Sequence, residues 1–551
     1  MNENHLPKPN TAPPIPPKTF TPVPPKAKKR DYNTVEMVFA WVCILFGYLL
    51  CRVFPVTESP MGGLIFTVLL YAVSTVILKI RGAKFPAMAV ILALTAVIMQ
   101  AALIISANPY IHFFAFVYGL AVYLYYVYSA FGNNIEKGFS NYVTADFLKA
   151  AFVMPFECLG NVFSAITDSI GKKNGKSLLR ILLGIVLAAI PTAIIVSLLS
   201  YDKGFSDIMD RLFAFDFNEI ISHVGSIIFG IPIAMYAYGL FISSVDKNKP
   251  DSLSREKCRN FLEKLKIAPV VTVCIAVVPV ISVYIIFFVS QWQYYVSGFS
   301  GVLPESLSYA EYAREGFFQL CTVSFINFFI IAAIGIFMKR NGKGTGILMK
   351  IISLVFSLFT LVLIATAMAK MYMYIDCYGL TPRRVYASWG MLVLAFMFLL
   401  IIVKQFARRL KLIAAMLLTV VVLFVALALS GVDSYIAEYN VSRYIDGTLK
   451  DVDVDAILDL GDAGIEQLAR LAKHLDAENG TDIAAVKPED LHTKDLYTRL
   501  VLGLRFLYCP DGNFFSYTIP HAKALAALEE LGMERWGEDD YIKLPFTLRP
   551  Y

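Results

Sequence analysis

LIAAMLLTVVVLFVALALS, residues 412–430, carries no charged side chain, and the ten residues that follow it, GVDSYIAEYN, carry two acids. An uncharged helix of this length spans roughly 28 Å at 1.5 Å per residue, close to the ~30 Å hydrocarbon core of a bilayer. The run therefore reads as a transmembrane helix, and the return of charge after Ser430 marks where the chain leaves the membrane. The same reading repeats along the chain. Eleven apolar spans are expected, near 37–54, 62–78, 86–106, 111–128, 178–200, 224–244, 267–291, 317–338, 350–370, 385–403 and 412–430. With 57% hydrophobic and only 17% charged residues, the chain of 551 residues lacks the polar surface of a soluble protein. Lipid forces backbone groups to pair internally, so the expected fold is all-α, a polytopic helical bundle.

Basic residues set the expected orientation. With the N-terminus in the cytoplasm, the inner segments carry 29 Lys and Arg and the outer segments before the last helix carry 5. That predicts an N-in, C-out protein of the plasma membrane. The chain opens with LPKPNTAPPIPPKTFTPVPPKAKKR (residues 6–30), which is not the basic-then-apolar order of a signal peptide. Residues 1–33 read as a disordered, polyproline-like cytoplasmic tail whose PxxP patterns suit an SH3-like partner. Residues 34–430 form the bundle. Within it, 141–168 are apolar but interrupted by Asp146, Lys149, Pro155 and Glu157, and read as a bent interfacial helix on the inner face. A twelfth span there is the alternative, and it would invert everything downstream. Residues 201–222 alternate acids with Phe, Ile and Leu, as an amphipathic element on the outer surface would.

Segment 431–551 holds 22 acids and 12 bases. Its apolar residues recur at helical spacing over 453–475, 490–507 and 520–532, which predicts a small, acidic, extracytoplasmic helical domain.

Three polar clusters fall on the outer side. In SYAEYAREGFFQL, residues 308–320, Ser308 and Glu311 have capping-box spacing, so a helix should begin outside the membrane and continue into the eighth span. Glu311, Arg314, Glu315 and Gln319 then form a polar stripe leading down to Thr322 and Asn327. The second cluster, around the turn GLTP, holds Lys370, Asp376, Arg383 and Arg384. Two outer arginines oppose the positive-inside bias, and call for a carboxylate partner or an anion. The third, SYIAEYNVSRYIDG, holds Glu438, Asn440, Arg443 and Asp446. Together these make a candidate outer-face site, or else a network that ties the C-terminal domain to the bundle. Both readings are open at the level of sequence.

Other chemistry is thinly represented. GKKNGKS at 171–177 is one residue short of a P-loop, and the sequons at 440 and 479 read as chance matches. Cys377 and Cys509 share a predicted side, so a disulfide between them is possible. No spacing suits a metal or cofactor, no catalytic motif stands out, and nothing points to nucleic acid. The span middles lack ionisable groups apart from Lys370, near an end, which leaves little for ion coupling.

The three signatures, SYAEYAREGFFQL, then YGLTPRRVY, then YNVSRYI, resemble a family of bacterial multi-pass membrane proteins catalogued only as a domain of unknown function. The resemblance extends over roughly 180–530. It implies a shared membrane architecture and no catalytic residue. Three functional readings follow. The first is an envelope binding, sensing or scaffold protein with the lipid bilayer as its setting and a protein partner at the tail or the C-terminal domain. The second is a transporter or flippase for an uncharged or amphipathic substrate. The third is an enzyme acting on a lipid-linked envelope substrate.

Overall fold

The computed structural model describes residues 30–171 apart from 55 and 139, single positions between 184 and 199, and residues 217–246, 254–290, 309–339, 343–491, 495–506 and 514–533. At 309–316 and a few helix-end positions it describes the backbone alone. Over these residues the chain is helical, with one isolated bridge between Ala268 and Met338. Ten helices are long and apolar enough to cross a membrane, and they coincide with ten of the eleven expected spans. The remaining one, 178–200, falls largely outside the described residues, as do the proline-rich segment 1–29, most of 201–222, and GKKNGKS.

The helices gather into two bundles. The first contains α1 (Thr34–Val53), α2 (Pro60–Ile80), α3 (Ala87–Met99) with its short continuation α4 (Ala102–Ile105), and α5 (Pro109–Ala130). The short α6 (Val143–Phe152), α7 (Met154–Glu157) and α8 (Asn161–Ile170) follow, then α9 (Phe217–Val245). After the surface helix α10 (Arg255–Leu265), the second bundle is built from α11 (Val270–Ser290), α12 (Tyr309–Phe337), α13 (Lys343–Tyr378) and α14 (Pro382–Phe406). The last span, α15 (Leu412–Leu429), packs on α14 and also meets α3 and α4. Beyond it lie α16 (Val432–Ile445), α17 (Val454–Leu458), α18 (Asp462–Asn479), α19 (Leu496–Phe506) and α20 (Ile519–Glu530). The periodic stretch 453–475 is two helices rather than one, because Gly461 turns the chain at φ 60°. Buried apolar residues of these C-terminal helices are continuous with the core of the first bundle, while the second bundle has its own core.

Backbone proximity organises the first bundle. A Cβ placed on Gly47 of α1 would lie 2.2 Å from the carbonyl oxygen of Gly230 on α9, and a Cβ on Gly230 would lie 2.8 Å from the Gly47 backbone. Only glycine at both positions lets the two helices touch backbone to backbone, the usual device where lipid removes any hydrophobic drive between helices.

Polar contacts define two ends. At the proximal end, where α1 begins, Glu36 is 2% exposed and is bound by Arg30 at 2.9 Å and by Arg81 at 2.7 Å. Arg30 also pairs with Asp246 at the end of α9. At the same end Asn133 Nδ2 donates to Ser244 O at 3.0 Å, and the Ile413 amide donates to Asn141 Oδ1 at 3.2 Å. At the distal end Arg52 donates to Ser222 Oγ at 2.6 Å, and Tyr48 Oη meets His223 Nδ1 at 2.7 Å. Ile170 and Phe217, on either side of the fifth expected span, thus lie at opposite ends.

Residues 143–170 form a helix broken by a 51° bend. Both its limbs bond to proximal elements. Asp146 Oδ1 accepts from Tyr128 Oη at 3.1 Å and from the Ile135 amide at 3.0 Å, while Ser243 Oγ donates to Glu157 at 3.0 Å. Trp41 Nε1 donates to Ser169 Oγ at 3.2 Å. Both limbs therefore contact the proximal half of the first bundle.

Candidate binding site at the distal face

The turn between α13 and α14 is the centre of the distal face. Gly379 ends α13 with φ 73°, and a Cβ there would lie 2.4 Å from Asn440 Oδ1. Glycine therefore serves twice, for the left-handed backbone and for the close approach of α16. Asn440 exploits the opening. Its Oδ1 accepts the Leu380 amide at 2.7 Å and its Nδ2 donates to the Leu380 carbonyl at 2.8 Å, a side chain pairing with a backbone as a strand would. Asn440 is consequently buried inside the interface, not offered as a surface sequon.

Arg443, one turn on, forms an ion pair with Asp376 at 3.2 Å and donates to the Asp376 carbonyl at 2.9 Å and to Tyr439 Oη at 3.2 Å. The second and third clusters therefore meet, and they meet as a tie between α16 and the α13–α14 turn. Asp376, the carboxylate nearest in sequence to Arg383 and Arg384, is paired with Arg443.

The two arginines of the turn have different roles. Arg384 lies over the Tyr374 ring at 4.0 Å and donates to the carbonyls of Tyr378, at 2.9 Å, and Gly379. It closes the C-terminal end of α13, where orphan carbonyls need donors and the helix dipole favours a cation. Arg383 is exposed and has no ion-pair partner among the described residues.

Both arginines line a cavity of about 520 Å³. Its wall is completed by Phe317 and Phe318 of α12, Met371 and Tyr374 of α13, Thr381, Pro382 and Ala387, and, from the C-terminal helices, Ala456 and Asp459. Phe317 and Phe318 belong to the signature SYAEYAREGFFQL, so the first two outer stretches meet at the cavity, while the third reaches the turn through Asn440 and Arg443 without lining it. Of that signature, Ser308 and the side chains of Glu311, Arg314 and Glu315 lie outside the described residues. Gln319 and Glu438 are exposed and do not line the cavity. Cys377 carries an exposed free thiol, and Cys509 lies outside the described residues.

A second buried group joins the bundles. Asp433, 2% exposed at the start of α16, lies beside Asn108 at the head of α5 and Tyr386 of α14, and its Oδ1 has no hydrogen-bond partner among the described residues. Asn108 Nδ2 also contacts Tyr386 Oη at 2.9 Å. Burial raises the Asp433 pKa above the usual carboxylate range, and the two neighbours offset part of that rise.

Sequence reasoning missed Asp433, Asp459 and the Glu36 pair of arginines, since each is a lone charge with no motif spacing around it, and packing alone gives it its neighbours. Two intramembrane polar residues, Gln100 and Asn327, are interhelical ties. Gln100 Nε2 donates to Ala115 O at 3.0 Å, and Asn327 Nδ2 donates to Thr360 Oγ1 at 2.8 Å while its Oδ1 accepts from Tyr284 at 2.6 Å. No group of three or more His, Cys, Asp or Glu able to hold a metal occurs among the described residues.

Among the described residues, ten apolar helices, an all-helical fold and polar groups gathered at two ends define a multi-pass α-helical integral membrane protein. The chain belongs to the family described as Domain of unknown function (DUF4153), which it matches over residues 87–471. The match begins at the third span, earlier than the signatures alone suggested, and stops inside α18. No curated protein and no solved structure matches the chain.

Proposed function

We propose that this is a plasma-membrane protein with a cytoplasmic N-terminus, a binding or sensing protein that holds a ligand at its distal, extracytoplasmic face. The observation that carries this reading is the cavity whose wall is shared between the second bundle and the C-terminal helices. A pocket of a few hundred Å³ with apolar walls and a few convergent polar groups is the form that small-ligand sites take. The Asn440–Leu380 and Arg443–Asp376 ties hold the two walls in register, so occupancy of the cavity is coupled to how the C-terminal helices sit. The transport reading draws less support. The polar side chains Gln100 and Asn327 are spent on helix–helix bonds.

The test is a cysteine at the cavity wall, Ala456→Cys, in a chain whose native cysteines are replaced. In native membranes a maleimide should label it several-fold more slowly than after exhaustive detergent exchange, because a membrane component occupies the site. Equal rates in both states, with the introduced thiol reactive in each, would refute occupancy.

A further inference from the structure

The cavity has an unusual charge pattern. Arg384 is consumed by the Tyr378 and Gly379 carbonyls and the Tyr374 ring. Among the described residues, the two charges left in the wall are Arg383 on α14 and Asp459 at the end of α17. They have opposite sign, line one cavity and are both exposed, yet no ion pair within 4.0 Å joins them. Nor does either have another ion-pair partner among the described residues. Two opposite charges held apart across an open space complement a ligand that carries both signs a few ångströms apart.

The rest of the wall narrows the class. Phe317, Phe318, Met371 and Ala387 are apolar. The site also lies where α13 ends and α14 begins, at the level of Tyr372, Tyr374 and Tyr378. Aromatic residues at a span end mark the headgroup depth of a bilayer. Beside Arg383, Thr381 makes no capping bond to α14, so its hydroxyl and the first-turn amides of the helix remain available to a phosphate oxygen.

We propose that the cavity binds the headgroup of an amine-bearing phospholipid from the distal leaflet. The phosphodiester faces Arg383 and Thr381, the ammonium faces Asp459, and the first part of an acyl chain lies along Phe317, Phe318 and Met371. This rests on the binding reading above and assigns the ligand of the same site.

The experiment is native mass spectrometry of the full chain in detergent, titrated with dioleoyl phosphatidylethanolamine or dioleoyl phosphatidylglycerol. The wild type should retain the ethanolamine lipid in preference to the glycerol lipid. Asp459→Asn should lower retention of the ethanolamine lipid by about tenfold, the scale of one charged contact, and leave the glycerol lipid unchanged. Arg383→Gln should weaken both. Both replaced side chains are exposed, and unchanged elution on gel filtration verifies that the variants fold. Equal retention of the two lipids by the wild type, or a preference untouched by Asp459→Asn, overturns the assignment. If instead the glycerol lipid binds better and depends on Arg383, the cavity remains a binding site and the amine is excluded. If neither lipid depends on Arg383 and neither slows labelling of the Ala456→Cys chain, the headgroup assignment falls with either result. Whether native membranes protect the thiol introduced by Ala456→Cys then decides the binding reading separately.

Discussion

Asn440 replaces one missing stretch of secondary structure with a side chain. Truncating it in Asn440→Ala leaves the Leu380 amide and carbonyl without their partners in a buried interface. The cost should be about 1–3 kcal/mol, because an unsatisfied buried group loses its full desolvation energy. Limited proteolysis should then release the C-terminal helices faster than in the wild type, with the transmembrane core intact. A proteolysis rate equal to wild type would mean that the tie carries little of the docking. Asp433 makes a prediction of the opposite sign. Its pKa is raised by burial, so the folded chain binds the proton more readily than the unfolded chain does. Stability from this group is present below the ordinary carboxylate value near 3.8 and is lost as pH rises through the raised folded value. Asp433→Asn keeps an oxygen beside Asn108 and Tyr386 and removes the charge. Its melting temperature should match or exceed wild type at pH 7, with the difference shrinking as the pH approaches 4. A variant less stable than wild type at pH 7 would show that the ionised acid is needed. At this scale the sequence was partly legible. The clustering of Asp376, Arg383, Arg384, Asn440 and Arg443 was visible, because charges beside apolar spans stand out. Which acid met which base was not, since Asp376 and Arg443 are separated by two spans and only packing selects the pair.

Helices were far more legible than their partners. Hydropathy located ten of the structure's spans, because a bilayer demands a long uncharged run whatever the helix packs against. Pairing depends on small residues, and a single glycine in an apolar run gives little warning of its role. Gly47 and Gly230 are such a pair. Gly47→Val places branched carbons where the nearest atom is the Gly230 carbonyl oxygen, at 2.2 Å even for a Cβ. A backbone neighbour cannot rotate away, so α1 and α9 must separate. Overpacking of this kind costs about 1–3 kcal/mol when side chains can adjust, and more here. The expected result is a fall in melting temperature and in monodisperse yield, whereas Gly184→Val, with open space around its Cβ, should leave both unchanged. If Gly47→Val behaves like Gly184→Val, the crossing is looser than its geometry. The broken helix 143–170 was legible in its interruptions. Pro155 and the charges at Asp146, Lys149 and Glu157 make an uninterrupted span costly, and the bonds to Tyr128, Ser243 and Trp41 draw both limbs to the proximal half of the bundle.

Over the whole molecule, the two ends have opposite chemistry. The proximal end collects Arg30, Arg81 and Arg255, each paired to an acid, and the basic helix α10. The distal end collects the α13–α14 turn, the cavity and the acidic C-terminal helices. A surplus of basic residues on one side of the spans is what fixes orientation during insertion, so the proximal end should face the cytoplasm. Two native cysteines report on this directly. Cys377 is exposed at the distal end of α13, and Cys258 lies on α10, between the proximal ends of α9 and α11. Each is retained as the single cysteine, and intact cells are treated with a membrane-impermeant maleimide. Cys377 should label at once, and Cys258 only after permeabilisation. Burial pushes up both thiols, so the intrinsic rate of each is calibrated in detergent. The reverse pattern would turn the cavity and the C-terminal helices to the cytoplasm, and the phospholipid would then be drawn from the inner leaflet. Labelling of both in intact cells would break the alternation of ends. That outcome would require the chain between Cys258 and Cys377 to cross an even number of times, contrary to the three spans α11, α12 and α13 that separate them.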